Sequence, residues 1–127
     1  MCIRDSFKSV LAFAKSPVGM RMRNAFLNET LKREQPFVMS VPASEADPSY
    51  PEDETILVQG IIDAWFPEGD EIVLVDYKTD RVKEAGELKK RYEKQLAYYQ
   101  QALERTTGKK VKEKIIYSLA LDEELVL

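Results

Sequence analysis

The chain has 127 residues, of which 44% are hydrophobic and 32% charged, a composition typical of one soluble globular domain. Its apolar runs are far shorter than the ~20 residues that a bilayer requires, and no secretion signal opens it. The single cysteine, Cys2, excludes an internal disulfide, and we expect a reducing, cytoplasmic location.

The net charge of −3 hides an uneven distribution along the chain. The segment 78–114 contains twelve Lys and Arg against six Asp and Glu, a net of +6, so the remainder carries −9. Such a basic segment is what a phosphate backbone would bind, although a solvated helix surface explains it equally simply.

The first half of the chain predicts two helices followed by a strand. Residues 7–14 have helical spacing, and Ser16-Pro17 is typical of an N-cap with proline at the first helical position. A second helix is predicted over 17–32, and a short strand over 37–41. The spacing of the second helix puts five residues along one side: Val18, Met22, Ala25, Phe26 and Glu29. The acidic, proline-containing stretch 42–55 predicts an exposed loop.

The second half predicts a hairpin, a long helix and a last strand. Segments 56–66 and 71–78 are rich in β-branched and aromatic residues and are joined by the turn sequence Pro67-Glu68-Gly69-Asp70. Residues 86–105 form the clearest helix, closed by Gly108, and 114–121 predict a strand. The order of these elements indicates an α/β domain with a mixed sheet and helices packed on it.

The hairpin brings together the residues with the strongest chemical signal. Asp76 and Lys78 share one strand face at the end of an apolar run, while Tyr77 points the opposite way. If the turn is centred so that opposed residue numbers sum to 137 or 139, Asp63 lies on the same face within roughly 5–8 Å of Asp76. Paired carboxylates suit Mg²⁺, and a nearby lysine suits a phosphodiester transition state. A surface ion pair beside an unrelated acid is the simpler alternative.

Three segments in order carry a family resemblance. Gly60-Ile61-Ile62-Asp63, then Asp76-Tyr77-Lys78, then Gln95-Leu96-Ala97-Tyr98-Tyr99 resemble the G-x-x-D, D-Y-K and Q-x-x-x-Y motifs of RecB/AddA-type PD-(D/E)XK nucleases. The segments 33–37 and 13–19 resemble the AddA-type nuclease domain more specifically. The resemblance covers roughly residues 7–121, and it implies a restriction-endonuclease-like fold with a mixed central sheet flanked by helices.

The resemblance also implies roles for individual residues. Asp63 and Asp76 would bind Mg²⁺, or Mn²⁺, together with the backbone carbonyl of Tyr77, and Lys78 would be the catalytic lysine. Gln95 and Tyr99 would lie across the site near the DNA, although simple packing is an equal alternative for Tyr99. Tyr92 and Tyr98 are interpreted as packing or surface residues.

One feature departs from the family pattern, because the family's metal site usually includes an upstream histidine and this chain contains none. We therefore expect residues 1–127 to be a single nuclease domain truncated at both ends, which binds metal weakly and cuts slowly. Glu34 is an alternative carboxylate ligand, although a structural role is the simpler interpretation.

The implied function is that of a Mg²⁺-dependent deoxyribonuclease, an exonuclease, in an ATP-dependent helicase–nuclease. Its partners would be single- and double-stranded DNA ends and a second, AddB-type subunit, in double-strand break repair and recombination. No Walker A loop is present, so ATP would bind only to a helicase portion outside this sequence. The alternatives are a catalytically impaired module that guides DNA or docks a partner subunit, and a standalone nuclease of another branch.

Overall fold

The computed structural model describes residues 3–127, and Cys2 lies outside this part. The elements are helices α1 (Ile3–Lys15) and α2 (Pro17–Leu27), strand β1 (Lys32–Pro42), the short helix α3 (Ala43–Ala46), strands β2 (Thr55–Glu68) and β3 (Glu71–Lys78), helix α4 (Ala85–Thr107), and strands β4 (Val111–Ser118) and β5 (Glu123–Val126). Within residues 3–127, no helix combines the length and apolar content of a membrane span.

The five strands form one mixed sheet in the order β1-β2-β3-β4-β5. Strands β3 and β4 are parallel and are connected through α4, whereas the other neighbouring pairs are antiparallel. The predicted α/β architecture with a mixed sheet is therefore confirmed. Helix α2 covers one face of the sheet and α4 covers the other, so each face buries its own apolar cluster.

The two clusters divide the alternating residues of the central strands. Val73 and Val75 of β3 pack with α2, and Ile72 and Leu74 pack with α4. All four are completely buried. A strand that is covered on both faces has no polar side to spare, which explains the continuous apolar run of β3.

Helix α2 begins as predicted but ends earlier than the prediction of Lys32. Ser16 is the N-cap, and its Oγ accepts a hydrogen bond of 3.0 Å from the Gly19 N–H. At the other end, the Thr30 and Glu29 N–H groups donate to the carbonyls of Ala25 and Phe26, with Glu29 at φ 60°. This is a Schellman arrangement with glutamate where glycine is usual, so the sequence lacked the expected stop signal. Phe26, predicted to lie on the buried side, is 62% exposed.

Other boundaries also differ from the predictions. Strand β1 begins at Lys32 rather than Phe37, and it accommodates Pro36 because it is an edge strand. The predicted loop 42–55 is exposed over most of its length but includes α3, whose Ala43 is buried. Strand β4 starts and ends three residues earlier than predicted, and β5 was not predicted at all. Helix α4 extends past the predicted Arg105 and is closed by Gly108 at φ 72°.

An ion-pair network fastens α2 to the sheet. The Arg21 guanidinium donates to both carboxylate oxygens of Glu68 at 2.9 and 2.7 Å and to both oxygens of Glu113 at 2.9 and 3.0 Å. Lys112 approaches Glu68 at 3.0 Å. The Arg21 hydrogen bond holds the pKa of Glu68 at about 2, well below its usual value of 4.5, and lowers the pKa of Glu113 as well.

Gly19 is needed because α1 and α2 meet there. A Cβ atom at Gly19 would lie 1.9 Å from the carbonyl oxygen of Phe13, whereas a Cβ at Gly86 would meet nothing within 4 Å. We expect Gly19→Ala to lower the free energy of unfolding by about 1–3 kcal/mol through forced displacement of the helices. Gly86→Ala, the matched control in α4, should leave stability unchanged or raise it by about 0.4–1 kcal/mol. Urea unfolding of both variants measures the difference, and equal effects would contradict the close helix contact.

The Arg21 network makes stability depend on acidity in a defined window. Because the pKa of Glu68 is lower in the folded chain, its contribution is complete above about 4.5 and is lost as the pH falls towards about 2. We expect wild type to exceed Arg21→Met by about 1 kcal/mol near neutral pH, with the gap closing over this window. Urea titrations at several pH values measure it, with exposed Arg23→Met as the control. Parallel curves for wild type and Arg21→Met would rule out this linkage.

Candidate active site

The candidate site lies where the apolar strand β3 ends in charged residues. Asp76 follows four fully buried residues and is itself only 2% exposed. The Asp76 carboxylate and the Lys78 ammonium lie on the face that α4 covers, and Lys78 Nζ is 2.8 Å from Asp76 Oδ2. The predicted ion pair is thus present, but it is buried, with the two side chains 3% and 15% exposed, and is therefore not the surface pair of the simpler alternative.

The environment of Asp76 is unfavourable for a carboxylate. Its Oδ2 is buried and accepts no hydrogen bond of acceptable geometry from the part of the chain that the structure describes, in spite of the short distance to Lys78. Burial raises the pKa of Asp76 to about 6, Lys78 opposes the rise, and the neighbouring Asp63 carboxylate adds to it. A buried oxygen without a donor is a position where a cation is favoured.

Asp63 comes to the same place through the register of the hairpin. Glu68 pairs with Glu71 and Ala64 with Val75, so opposed residue numbers sum to 139, one of the two predicted registers. The next position on this register sets Asp63 against Asp76. Regular pairing stops there, and the Asp63 Oδ2 accepts a hydrogen bond of 2.8 Å from the Tyr77 N–H.

Strand β2 also changes its facing at Asp63. On one side of it Ile62 packs with the α4 cluster, and on the other side Ala64 packs with the α2 cluster, although the two are only two residues apart. The opposed position on β1 is Glu34, which has φ 51° and is absent from the regular pairing. Asp63 therefore sits at a twist of the strand, and both its neighbours leave their hydrogen-bonding pattern there.

Tyr77 separates the two acids in the way that strand alternation predicts. Its ring points to the α2 face, where it packs edge-on against Phe13 with 5.5 Å between ring centroids. Its hydroxyl contacts Met22 Sδ at 3.5 Å. The backbone of Tyr77, rather than its ring, reaches the site, through the N–H that donates to Asp63.

Helix α4 supplies further contacts to Lys78. The Lys78 Nζ donates a hydrogen bond of 2.9 Å to Gln95 Oε1 and lies 3.9 Å from the centroid of the Tyr92 ring. Gln95, predicted to face the DNA, is therefore in contact with the lysine. Tyr92 had been interpreted as packing or surface, and its contact with Lys78 corrects that interpretation. A signal was available, since Tyr92 precedes Gln95 by three residues and so shares its helix face.

Tyr99 is mainly a packing residue with its hydroxyl end near the acids. The side chain is 8% exposed, and its ring packs edge-on against Phe37 with 5.3 Å between centroids. Burial raises the pKa of Tyr99, and the Asp76 and Asp63 carboxylates add to the rise. A Cβ at Gly60 would approach the Phe37 and Tyr99 rings at 3.1–3.3 Å, so the glycine of the first motif makes room for this pair.

The oxygen-rich donor set fits a hard divalent cation. Among the side chains that the structure describes, no three His, Cys, Asp or Glu residues converge as a ligand set, and Glu34 is exposed. The two carboxylates of Asp63 and Asp76 remain, one of them with an unsatisfied oxygen. Magnesium is commonly held by one or two carboxylates while it keeps several water molecules, so the pair is compatible with it.

Comparison with known proteins identifies the family. A family model described as the PD-(D/E)XK nuclease superfamily matches residues 8–125. The chain belongs to this superfamily. The match includes both acids of the hairpin, Lys78 and the whole of α4.

The relatives of this superfamily member are long proteins. It is 44% identical over 117 residues to a subunit of the ATP-dependent helicase/nuclease of Clostridium botulinum (strain Loch Maree / Type A3), covering 89% of this chain and 9% of that protein. It is 40% identical over 121 residues to the subunit of the same name in Clostridium kluyveri (strain NBRC 12016), covering 92% and 10%. The chain thus spans about a tenth of the length of these curated relatives.

The Asp76–Lys78 pair makes a prediction about stability without metal. Lys78→Met leaves a buried carboxylate unpaired beside Asp63 and should destabilise the fold, whereas Asp76→Asn in the same chain removes the unpaired charge. The double variant should be more stable than the sum of the single effects by roughly 1–3 kcal/mol. Urea unfolding in EDTA at neutral pH measures this coupling, and additive effects would show that the two side chains are not paired in solution.

Proposed function

We propose that this PD-(D/E)XK domain hydrolyses phosphodiester bonds of DNA in a reaction that requires Mg²⁺, with Mn²⁺ as an alternative metal. The observation that carries the proposal is the buried Asp76 carboxylate, which has an unsatisfied oxygen, an adjacent acid and an adjacent lysine. A buried charge at the end of an apolar strand is costly for stability, and functional sites are where such costs are usually found.

The roles follow from the contacts. Asp63 and Asp76, with the backbone carbonyl of Tyr77, would hold the ion, which supplies Lewis-acid charge and lowers the pKa of an attacking water. Lys78 would donate to a non-bridging oxygen of the scissile phosphate, because its charge is desolvated and held in place by Asp76 and Gln95. Gln95 orients Lys78, and the Tyr99 hydroxyl, near the acids, would border the DNA strand.

The electrostatic surface supports a nucleic-acid substrate. The basic segment 78–114 includes the end of β3, all of α4 and most of β4, so its charge surrounds the candidate site. Lys89, Lys90, Arg91 and Lys94 are exposed on α4. A positive surface next to a metal site would attract the DNA backbone to the acids.

The names of the relatives suggest a larger context for this activity. We propose that the domain is the nuclease module of the AddA-type subunit of an ATP-dependent helicase–nuclease, and that it works in the cytoplasm as an exonuclease on DNA ends. The helicase portion would bind ATP, and an AddB-type subunit would be the partner. Processing of double-strand breaks for recombination is the corresponding role.

A second candidate is a nuclease-like module that guides DNA or docks a partner without cutting. It is favoured by the side chains that the structure describes, which give two acids but no third ligand of the His, Cys, Asp or Glu type. The two candidates differ in metal-dependent cleavage and not in DNA binding.

The test is degradation of end-labelled linear single- and double-stranded DNA in Mg²⁺, Mn²⁺ or EDTA. We expect cleavage that depends on metal and falls at least about a hundredfold in Asp76→Ala and Lys78→Ala, because each removes a charge that acts on the transition state. Lys15→Ala, an exposed lysine on the opposite side of the sheet, is the matched control and should cut like wild type. Thermal melts would confirm that each variant folds.

Two outcomes would count against this proposal. Cleavage that persists in both variants would mean that a contaminant or another site is responsible. Retained DNA binding without cleavage in either metal, for wild type and control alike, would favour the guiding module instead.

A further inference from the structure

Lys78 is surrounded on three sides, and one of the three contacts is aromatic. Asp76 Oδ2 lies 2.8 Å from Nζ, Gln95 Oε1 accepts at 2.9 Å, and the Tyr92 ring covers the ammonium at 3.9 Å from its centroid. An ammonium has three N–H donors, and an aromatic face attracts its charge without accepting one in a directed hydrogen bond. Asp76 and Gln95 engage two donors, which leaves one for a substrate oxygen.

Tyr92 is itself held by the segment that follows Lys78. The Tyr92 hydroxyl donates a hydrogen bond of 2.7 Å to Asp80 Oδ2, and Arg91 Nη1 donates to the same oxygen at 2.7 Å. Asp80 is only two residues after Lys78, so the contacts form a closed loop from the end of β3 to α4 and back. The orientation of the ring is therefore tied to the backbone that carries the lysine.

Asp80 would otherwise compete for the lysine. Asp76 and Asp80 stand two residues to either side of Lys78, and each is a natural partner for its charge. Because Arg91 and Tyr92 both donate to Asp80 Oδ2, this acid already has two donors. Lys78 accordingly pairs with Asp76, the acid inside the site.

We propose that Tyr92, anchored by Asp80, is a positioning residue that directs the Lys78 ammonium to the Asp63–Asp76 carboxylates. The inference rests on the proposed nuclease function, since its value for the reaction lies in where it places the lysine. The ring blocks the outward path of the side chain and stabilises its charge, while the hydroxyl occupies the competing acid. Tyr92 does not contact the reacting atoms.

Steady-state cleavage of DNA at saturating Mg²⁺ separates positioning from packing. Tyr92→Leu keeps an apolar side chain but removes the ring, and we expect kcat to fall about tenfold while KM for DNA changes by less than about twofold. Tyr92→Phe keeps the ring and should retain most of the wild-type kcat. Tyr98→Leu, a neighbouring tyrosine on α4 that packs against a different cluster, is the control and should be unaffected.

A second measurement reports the contact without turnover. In protein labelled with ¹³C-lysine, the ε-CH₂ protons of Lys78, assigned by their loss in Lys78→Arg, should be displaced upfield by the ring current of Tyr92. They should return to the range of the exposed lysines in Tyr92→Leu but not in Tyr92→Phe. A Lys78 signal that is undisplaced in wild type, or an unchanged kcat in Tyr92→Leu, would overturn the positioning role.

The two measurements also separate this inference from the function on which it rests. Absence of metal-dependent cleavage by wild type would contradict the nuclease proposal, and with it any rate effect of Tyr92. A displaced Lys78 signal in that same protein would still establish that Tyr92 holds the lysine. Active wild type with an undisplaced signal would leave the nuclease proposal intact and reject the positioning role.

Discussion

The rest of the site depends on one unfavourable burial, the Asp76 carboxylate at the end of β3. A sheet covered by helices on both faces offers this residue no water, and the strand before it is entirely apolar. The Lys78 ammonium compensates the charge, and that lysine needs partners of its own from α4. The polar contacts at this end of the sheet are therefore arranged around a single charge that the core does not accommodate.

Several parts of the fold could be predicted from sequence because local signals were strong. The hairpin, the cap at Ser16, the long helix before Gly108 and the mixed sheet rest on periodicity and turn residues, which act over a few positions. The end of α2 could not be located, because Glu29 adopts a left-handed conformation without being glycine. Strand β5 was missed because its four residues acquire order from pairing with β4, a contact that no local pattern encodes.

The candidate site divides in the same way. The nearness of Asp63 and Asp76 followed from strand alternation and turn position, and the structure adopts one of the two registers considered. The contact of Lys78 with Tyr92 and Asp80 depends on how α4 rotates about its axis above the sheet. That rotation is set by the packing of Leu88, Leu96 and Leu103, so the role of Tyr92 could not be inferred from the order of residues alone.

Both contacts that α4 makes with Lys78 come from one turn of a single 23-residue helix. Such a helix is roughly 35 Å long, and its buried leucines make it move as a rigid rod. The helix is thus a lever whose N-terminal half holds the lysine and whose far end, near Gly108, lies beyond the sheet centre. A load applied at the far end would reach the lysine as a small rotation, which alters the alignment of its charge before it disturbs the sheet.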